Sequence, residues 1–296
     1  MAADLMDGRE IAEAIRAELK SEVDSLRERG VVPGLGVILV GDNPASCSYV
    51  TAKERACESI GIYSDDNRLP ADTSEADLLK RVEAMNQDPQ IDGILVQLPL
   101  PKHMDESKIL LAIDPTKDVD GFHPMNVGKM MIGEETFFPC TPHGVVQMLM
   151  RSGVETSGKH VVVVGRSNIV GKPVANMLLQ KKAGANATVT LCHTGTEDLA
   201  GFTQQADILI VASGWPNTVT ESMVKPGAVV VDVGVNRVED ATKKSGYRLV
   251  GDVDFEGVSR VASKLTPVPG GVGPMTITML LYNTVESAKA RLMEEG

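Results

Sequence analysis

Tyr49 and Lys53, four residues apart, are the first side chains of this sequence whose types and spacing suggest chemistry. On a helix, that spacing places both on one face. A Y-x-x-x-K pair of this kind first suggests the chemistry of a dehydrogenase. The alternative interpretation is an ordinary surface lysine beside a half-buried tyrosine. The pair is therefore a candidate site that needs support from other residues.

Three further polar residues lie where a ligand site could form: Gln97, Asp118 and Asp120. Gln97 ends the apolar run ILVQL, and ligand sites in open α/β sheets gather at the carboxyl ends of strands. The two aspartates lie in KDVDGFHP, where a carboxylate could hold a polar heterocycle through paired N–H donors. Each is alternatively a turn residue, since Asp-Gly is a common turn signal, and this alternative is stronger for Asp118.

The segment VVVVGRSNIVGKP (161–173) has the order of a phosphate-binding turn: a strand, a glycine-bearing turn and a helix start. Gly165 permits a sharp turn, and Gly171 permits close approach of the helix, whose N-terminus would favour a pyrophosphate. The strict G-x-G-x-x-G fingerprint is not met, because Ser167 and Val170 replace its second and third glycines. A tight turn without a ligand is the alternative. The Y-x-x-x-K pair is also typical of short-chain dehydrogenases, but in that fold it follows such a turn, whereas here it precedes it.

The residues after the next strand indicate which dinucleotide this turn would bind. An NAD site usually carries a carboxylate there, to hold the ribose 2′-hydroxyl. Here the strand ends in Cys192, His193 and Thr194, without an acid, and Arg166 lies in the turn itself. A cation with a hydroxyl fits a 2′-phosphate, so we expect NADP rather than NAD. The alternative is that Arg166 is a solvated surface charge.

The segment TPVPGGVGPMT (266–276) is rich in proline and glycine, and we expect it to be neither helix nor central strand. Such a loop would expose its backbone N–H and C=O groups to a ligand. The alternative is a plain connection into the last helix.

The remaining pattern predicts an α/β protein of two domains, each built on a parallel sheet. In the first series we expect a strand at 34–41, a helix from about 45 to 60, a weaker strand at 61–69, a helix capped by Thr73 or Ser74, and a strand at 92–101. Residues 113–140 have no sustained period and predict a long loop with the domain crossing near its end. The second series predicts a helix at 142–152, strands at 159–165, 187–193, 206–212 and 227–234, and a final apolar-striped helix.

Composition excludes several classes of function. The 296 residues suffice for two domains, and no apolar run approaches the 18 residues of a membrane span. A net charge of −11 and few aromatic residues argue against nucleic acid as a partner. The four cysteines lack C-x-x-C spacing and the five histidines form no ligand motif, so we expect reduced thiols, no metal and, without a secretory signal, a cytoplasmic location.

The chain resembles the bacterial bifunctional methylenetetrahydrofolate dehydrogenase/methenyltetrahydrofolate cyclohydrolase family nearly end to end. The resemblance is carried by long motifs, among them VGDNPASCSYVTAKERACESIGI (40–62), DGILVQLPLPKH (92–103), PTKDVDGFHPMNVGKM (115–130), FPCTPHG (138–144), VVVGRSNIVGKPVANML (162–178) and TPVPGGVGPMT (266–276). It implies NADP-dependent oxidation of 5,10-methylenetetrahydrofolate and hydrolysis of the product to 10-formyltetrahydrofolate, a one-carbon reaction sequence that serves purine biosynthesis.

The resemblance also implies roles for individual residues. Lys53 would act in proton transfer during hydrolysis, Tyr49 would stack near the substrate, Gln97 would tune Lys53, and Asp120 would anchor the pterin. The remaining substrate-side positions would be Ser46, Pro269, Gly270, Gly271 and Thr276. The cofactor-side positions would be Gly165, Arg166, Ser167, Thr194 and Val235.

The family fold implies two α/β domains flanking a cleft: residues 1–140 plus 276–296 as the folate-binding catalytic domain, and 141–275 as a Rossmann-like NADP domain that forms homodimers. Three alternatives remain open at this stage. They are a monofunctional dehydrogenase, in which Lys53 only positions substrate; a shikimate-type or amino-acid dehydrogenase; and a catalytically silent dinucleotide-binding regulator.

Overall fold

The computed structural model describes residues 3–243 and 246–294, so the outermost residues of the expected domain ranges lie outside it. The chain folds into two compact units. One comprises Glu13–Cys140 and Ile277–Gly296 and is called the three-stranded unit below; the other comprises Met1–Ala12 and Thr141–Thr276 and is called the six-stranded unit.

The described strands are β1 (Asp4–Leu5), β2 (Gly34–Val40), β3 (Tyr63–Leu69), β4 (Gly93–Val96), β5 (His160–Val164), β6 (Thr188–Cys192), β7 (Ile208–Val211), β8 (Val229–Asp232), β9 (Asn236–Glu239), β10 (Tyr247–Val250) and β11 (Lys264–Leu265). The described α-helices are α1 (Gly8–Glu28), α2 (Pro44–Ile60), α3 (Glu75–Gln87), α4 (Glu106–Leu111), α5 (Pro124–Ile132), α6 (Cys140–Arg151), α7 (Gly171–Leu179), α8 (Leu199–Thr203), α9 (Phe255–Val258) and α10 (Val272–Glu294). The parallel α/β class expected from the sequence is therefore confirmed.

The three-stranded unit has the parallel sheet order β3-β2-β4, with β2 in the centre. Every residue of β2 and β4 is buried, as expected for strands covered on both faces. From β2 the chain goes to β3 at one edge of the sheet and then crosses to β4 at the other edge. The carboxyl ends of β2 and β4 therefore form the switch point where ligands bind in such sheets. Lys53 lies on the helix after β2, and Gln97 directly follows β4.

The six-stranded unit has the parallel order β1-β11-β8-β7-β5-β6. The four strands expected in the second series all occur, and their apolar runs pack into one core. The order β6-β5-β7 places a second switch point at the carboxyl ends of β5 and β7. The two-residue strands β1 and β11 and the antiparallel pair β9–β10 were not expected.

Within the three-stranded unit, α10 is bonded to the sheet through Asp92, which precedes β4. Ser287 Oγ donates to the Asp92 carbonyl at 2.7 Å, and Arg291 Nε donates to the Asp92 carboxylate at 2.7 Å. Asp92 also accepts the backbone N–H of Gly34, at the start of β2. These bonds connect the last helix of the chain to the middle of the sheet.

Three expectations about element bounds were wrong. The strand expected over 92–101 ends at Val96, because prolines 99 and 101 lack the N–H groups of a ladder. The loop expected over 113–140 contains α5, which begins with Pro124. The residue after this helix, Gly133, has the left-handed backbone conformation that ends many helices. The segment 266–276 is a loop only to Gly271, because Pro274 falls in the first turn of α10, where its missing N–H costs no helical bond.

Among the described residues, no helix is long and apolar enough to cross a membrane.

Candidate active site

Lys53 is held inside the three-stranded unit by the way α2 is built. Asn43 caps the helix by accepting the N–H groups of Ala45 and Ser46, and Pro44 occupies the first turn. The inward face of α2 then carries Lys53, which is only 8% exposed. The surface-lysine alternative is therefore wrong.

Gln97 meets the amine of Lys53 directly. Lys53 Nζ donates to Gln97 Oε1 at 3.0 Å. The Gln97 amide is itself fixed, because its Nε2 donates to the Leu98 carbonyl at 2.8 Å and its backbone N–H donates to the Ile38 carbonyl at 2.8 Å. The carbonyl oxygen of this side chain is therefore the atom turned toward the lysine.

Burial lowers the pKa of Lys53, while the charge of Asp120 and the thiols of Cys140 and Cys57 act in the opposite direction. Burial also raises the pKa of Asp120, against the effects of Lys53 and of a hydrogen bond with the Cys140 thiol. The structure thus brings together an amine, an amide, a carboxylate and a thiol. A buried amine whose pKa is lowered has a larger neutral fraction than a free lysine, and in that form it could accept and return a proton.

The two aspartates of the KDVDGFHP segment differ in their partners. Asp118 is 2% exposed and accepts the backbone N–H of His123 at 2.7 Å and Asn126 Nδ2 at 2.9 Å. Burial raises its pKa to about 6. These bonds shape the turn that leads into α5, as the structural alternative for Asp118 expected. Asp120 instead interacts with the charge of Lys53, which lowers the pKa of its carboxyl group against the effect of burial.

Ser46 and Tyr49 lie earlier on α2. Ser46 is buried, whereas Tyr49 is 47% exposed. Tyr49 therefore presents a large part of its ring to solvent one turn before Lys53, where a planar ligand could contact it.

Two residues near this cluster were not identified from the sequence. Cys140 Sγ donates to the Val119 carbonyl at 3.4 Å, and burial raises its pKa well above the ordinary value. Asn283 of α10 is 2% exposed, and its Nδ2 donates to the carbonyls of Val119 and Phe138 at 2.8 and 3.0 Å. It thereby fixes the segments that carry Asp120 and Cys140. A lone amide in the apolar stretch TITMLLYNTV was the signal that could have identified it.

The expected phosphate-binding turn lies at the switch point of the six-stranded unit. Gly165 has φ +122°, and a Cβ there would lie 2.1 Å from the Ala212 carbonyl oxygen. A Cβ on Gly171 would lie 2.0 Å from the Gly165 carbonyl oxygen. Both positions therefore exclude a side chain, as expected for a turn in which helix and strand approach closely. Ser167 Oγ accepts the N–H groups of Val170 and Gly171 at 3.1 and 3.3 Å and so caps the start of α7.

The chemistry around this turn fits a dinucleotide with a 2′-phosphate. Arg166 is exposed and has no ion pair or hydrogen bond with any residue that the structure describes. Thr194, just after β6, is also exposed, and no acidic residue ends that strand. Val235, in the turn after β8, is 52% exposed. A cation and a hydroxyl at this edge would complement a phosphate.

The loop before α10 is held by the amino-terminal segment of the chain. The Gly8 N–H donates to the Gly270 carbonyl at 2.9 Å, and a Cβ on Gly8 would lie 1.8 Å from the Gly271 carbonyl oxygen. Pro269 is exposed in this loop. Thr276 Oγ1 lies 2.8 Å from Thr141 Oγ1, so its hydroxyl bonds to the start of α6.

Among the described residues, no group of three or more His, Cys, Asp or Glu side chains could hold a metal ion.

Comparisons with known proteins agree over nearly the whole chain. Residues 6–120 match the model of the tetrahydrofolate dehydrogenase/cyclohydrolase catalytic domain, and residues 139–292 match that of its NAD(P)-binding domain. A bifunctional FolD protein of Syntrophus aciditrophicus is 61% identical over 98% of both chains.

Solved structures give the same result. The bifunctional FolD of Campylobacter jejuni is 50% identical, with a TM-score of 0.92 over 98% of this chain and 100% of that chain. The Trypanosoma brucei dehydrogenase-cyclohydrolase, solved with NADP cofactor and inhibitor, is 42% identical, with a TM-score of 0.93 over 99% of each chain. These matches decide against the shikimate-type alternative. The chain belongs to the tetrahydrofolate dehydrogenase/cyclohydrolase family.

Proposed function

We propose that this chain oxidises 5,10-methylenetetrahydrofolate with NADP+ and then hydrolyses the resulting 5,10-methenyltetrahydrofolate to 10-formyltetrahydrofolate. Family membership supports both activities. The observation that carries the second activity is the buried amine of Lys53, hydrogen-bonded to Gln97 at 3.0 Å within the part of the chain that matches the catalytic-domain model.

Oxidation requires little of the protein beyond placement. As hydride leaves the methylene carbon, the lone pairs of the two flanking nitrogens stabilise the cation that forms, so no strong base is needed. When bound, NADP+ supplies the hydride acceptor. Residues Gly165, Arg166, Ser167, Thr194 and Val235 would hold this cofactor at the switch point of the six-stranded unit, with Arg166 pairing with the 2′-phosphate.

Hydrolysis requires proton transfer, and we assign it to Lys53. A water oxygen bonds to the methenyl carbon while one of its protons passes to the neutral Lys53 amine. The bond from that carbon to N5 then breaks, and N5 receives the proton from the Lys53 ammonium. The proton left on the added oxygen is released to solvent, so the carbon stays on N10 as a formyl group. Overall one water is consumed and one proton is released. The lowered pKa of Lys53 supports this role, because it raises the neutral fraction of the amine.

The other substrate-side residues would orient the pterin. A carboxylate at Asp120 matches the paired N–H donors of that ring, and the exposed ring of Tyr49 offers a stacking surface. Ser46, Pro269, Gly270, Gly271 and Thr276 are proposed as further substrate contacts. We assign folate binding to residues 1–140 plus 276–296 and NADP binding to residues 141–275; these bounds differ from those of the two compact units, in which Met1–Ala12 belongs with Thr141–Thr276.

The proposal extends to assembly and location. We propose a homodimer formed through the NADP-binding domain, which light scattering of the purified protein would test. We also propose a reducing, cytoplasmic location and a supply of one-carbon units to purine biosynthesis. All four cysteines are free thiols, and three of them are buried, which supports a reducing compartment.

Separate assays of the two steps test the function. NADPH absorbance would follow oxidation of methylenetetrahydrofolate, with NADP+ and NAD+ compared at equal concentrations. Loss of methenyltetrahydrofolate absorbance would follow hydrolysis without any cofactor. We expect both rates to exceed the uncatalysed rates. Oxidation without catalysed hydrolysis would favour the monofunctional dehydrogenase, and absence of both would favour the silent regulator.

A further inference from the structure

Two buried carboxylates lie beside the carboxyl end of β8 in the six-stranded unit. Asp232 is the last residue of β8 and is 3% exposed; Asp252 follows β10 and is fully buried. Neither has an ion pair with a basic side chain among the described residues. We call Asp232 and Asp252 the carboxylate clasp.

Asp252 holds the loop that follows β7. Its Oδ2 accepts the backbone N–H groups of Ser213 and Gly214 at 2.6 and 2.8 Å, and its Oδ1 accepts Asn236 Nδ2 at 2.8 Å. The two loop N–H groups point at one oxygen, and the other oxygen is occupied by a residue of β9. The carboxylate therefore joins the β7 loop to the chain that leaves β8.

Asp232 holds the turn that follows its own strand. Its Oδ1 accepts the N–H groups of Gly234 and Asp252 at 3.0 and 2.9 Å, and its Oδ2 accepts that of Val253 at 3.0 Å. Its backbone N–H donates to Thr266 Oγ1 at 2.7 Å. The Asp232 carboxylate thus fixes both the Gly234 turn and the backbone of Asp252 itself.

Each carboxylate also packs against a glycine of the segment that carries the other carboxylate. A Cβ on Gly234 would lie 2.1 Å from Asp252 Oδ1, and a Cβ on Gly251 would lie 1.7 Å from Asp232 Oδ2. The sequence D-x-G after β8 therefore packs against G-D after β10, with no room for a side chain on either glycine.

The two segments that the clasp holds lie where a ligand of this sheet binds. The β7 loop begins beside the phosphate-binding turn, since a Cβ on Gly165 would lie 2.1 Å from the Ala212 carbonyl oxygen. The turn after β8 carries Val235, which is exposed at the same edge. Open parallel sheets bind ligands at the carboxyl ends of strands around a switch point, here β5 and β7.

We propose that Asp232 and Asp252 are positioning residues for the dinucleotide site, which keep the β7 loop and the turn after β8 in the geometry that cofactor binding requires. This inference rests on the proposed NADP site. It assigns no contact between the cofactor and either carboxylate, because both are buried and their oxygens are occupied by donors of the chain. They act on cofactor binding indirectly, by fixing the backbone of the β7 loop and of the turn after β8.

Trp215 gives a direct readout of the loop. It is the only tryptophan of the chain, is 72% exposed and lies in the β7 loop, where the Thr218 hydroxyl donates to its carbonyl at 2.8 Å. Its fluorescence therefore reports the geometry of the loop without a label, and titration with NADP+ reports binding.

The test compares Asp252→Asn and Asp252→Ala with the unsubstituted protein. Asparagine keeps one carbonyl oxygen and can satisfy either the loop or Asn236 but not both, whereas alanine satisfies neither. We expect the emission of Trp215 to shift in both variants and the KM for NADP+ to rise at least tenfold, more in the alanine variant. The midpoint of the NADP+ titration should rise by a similar factor. The ratio of oxidation to hydrolysis at fixed NADP+ should fall at least tenfold.

Asp254→Asn is the matched control, because it removes a nearby carboxylate that caps α9 through the N–H of Gly257 and, in the bonds given above, does not hold the β7 loop. Its NADP+ KM should stay within twofold of the parent value. The inference is overturned if both Asp252 variants keep the parent KM and emission, or if oxidation and hydrolysis fall in proportion, as a general loss of folded protein would produce. Both activities are measured first on the unsubstituted protein. A failure of the proposed function is therefore distinguished from a failure of the inference about Asp232 and Asp252.

Discussion

The amine of Lys53 donates a hydrogen bond to the side-chain oxygen of Gln97 at 3.0 Å, inside a unit where the lysine is 8% exposed. A neutral acceptor does not favour the ammonium form as a bonded carboxylate would, and no carboxylate of the described residues is hydrogen-bonded to this amine. Asp120 acts on it only through its charge. This balance between burial and a nearby charge is the basis of the proton-transfer role proposed for Lys53.

Replacing Lys53 with methionine tests this role. The variant keeps the length of the side chain but has no proton to exchange, so we expect hydrolysis of methenyltetrahydrofolate to fall by about 10²–10⁴-fold, the usual contribution of a positioned acid or base. Substrate binding, measured by equilibrium titration, should survive. Hydrolysis at the parent rate in Lys53→Met would contradict the assignment.

Gln97→Glu tests the pKa of the lysine. The substitution places a carboxylate where Oε1 lies, 3.0 Å from Nζ, and an opposite charge favours the ammonium form. The pKa of Lys53 then rises, so the part of the hydrolysis profile that increases with pH should move to higher pH by about 1–3 units. Hydrolysis near neutral pH should fall, and should recover as the pH is raised.

The pH profile of oxidation serves as the internal control for Gln97→Glu, since oxidation needs no base and should not shift with the hydrolysis profile. A hydrolysis profile that superimposes on that of the unsubstituted protein would show that Lys53 does not exchange the proton.

Most strands of the two parallel sheets and several helices, among them α2, α3 and α10, could be predicted from the sequence because their signals are local, whereas the 21-residue helix α1 was not predicted. The runs VVVV and VILV are apolar throughout, as buried parallel strands require, and Asn43 with Pro44 marks the start of α2. The carboxyl-end rule also placed Gln97 at an edge where ligands bind. These inferences need only neighbouring residues.

What could not be predicted depends on residues far apart in the sequence. The pairing of β1 with β11 joins two-residue strands from opposite ends of the chain, which are too short to show a period. The helix α5 has nine residues, and its proline and glycine boundaries resembled those of a loop. The contacts of Asn283 with Val119 and Phe138 likewise depend on the folded path of the chain.

Arg166→Ser tests the choice of cofactor. If Arg166 pairs with the 2′-phosphate, its loss removes a charge-assisted hydrogen bond, so the KM for NADP+ should rise by roughly 10–100-fold. The KM for NAD+, which lacks that phosphate, should change by less than about threefold. Lys172→Ser is the matched control, since the Lys172 amine already donates to Asn168 at 2.7 Å. Equal losses for NADP+ and NAD+ would show that Arg166 does not distinguish them.

Asn283→Leu tests whether α10 positions the Asp120 segment. The substitution leaves the carbonyls of Val119 and Phe138 buried without their donor, which should lower the free energy of unfolding by roughly 1–3 kcal/mol. With Val119 released, the neighbouring Asp120 loses its fixed position, so hydrolysis should fall at least tenfold at temperatures where the variant is fully folded.

Thr284→Val is the comparison for Asn283→Leu, because Thr284 is equally buried on the same helix but donates only to Leu280 within it, at 2.8 Å. It should cost less stability and leave hydrolysis close to the parent rate. Thermal unfolding and hydrolysis measured on both variants separate the two effects. If the two substitutions slow hydrolysis equally, Asn283 contributes only stability, and Asp120 must be held by the turn at Gly121 and by its own surroundings.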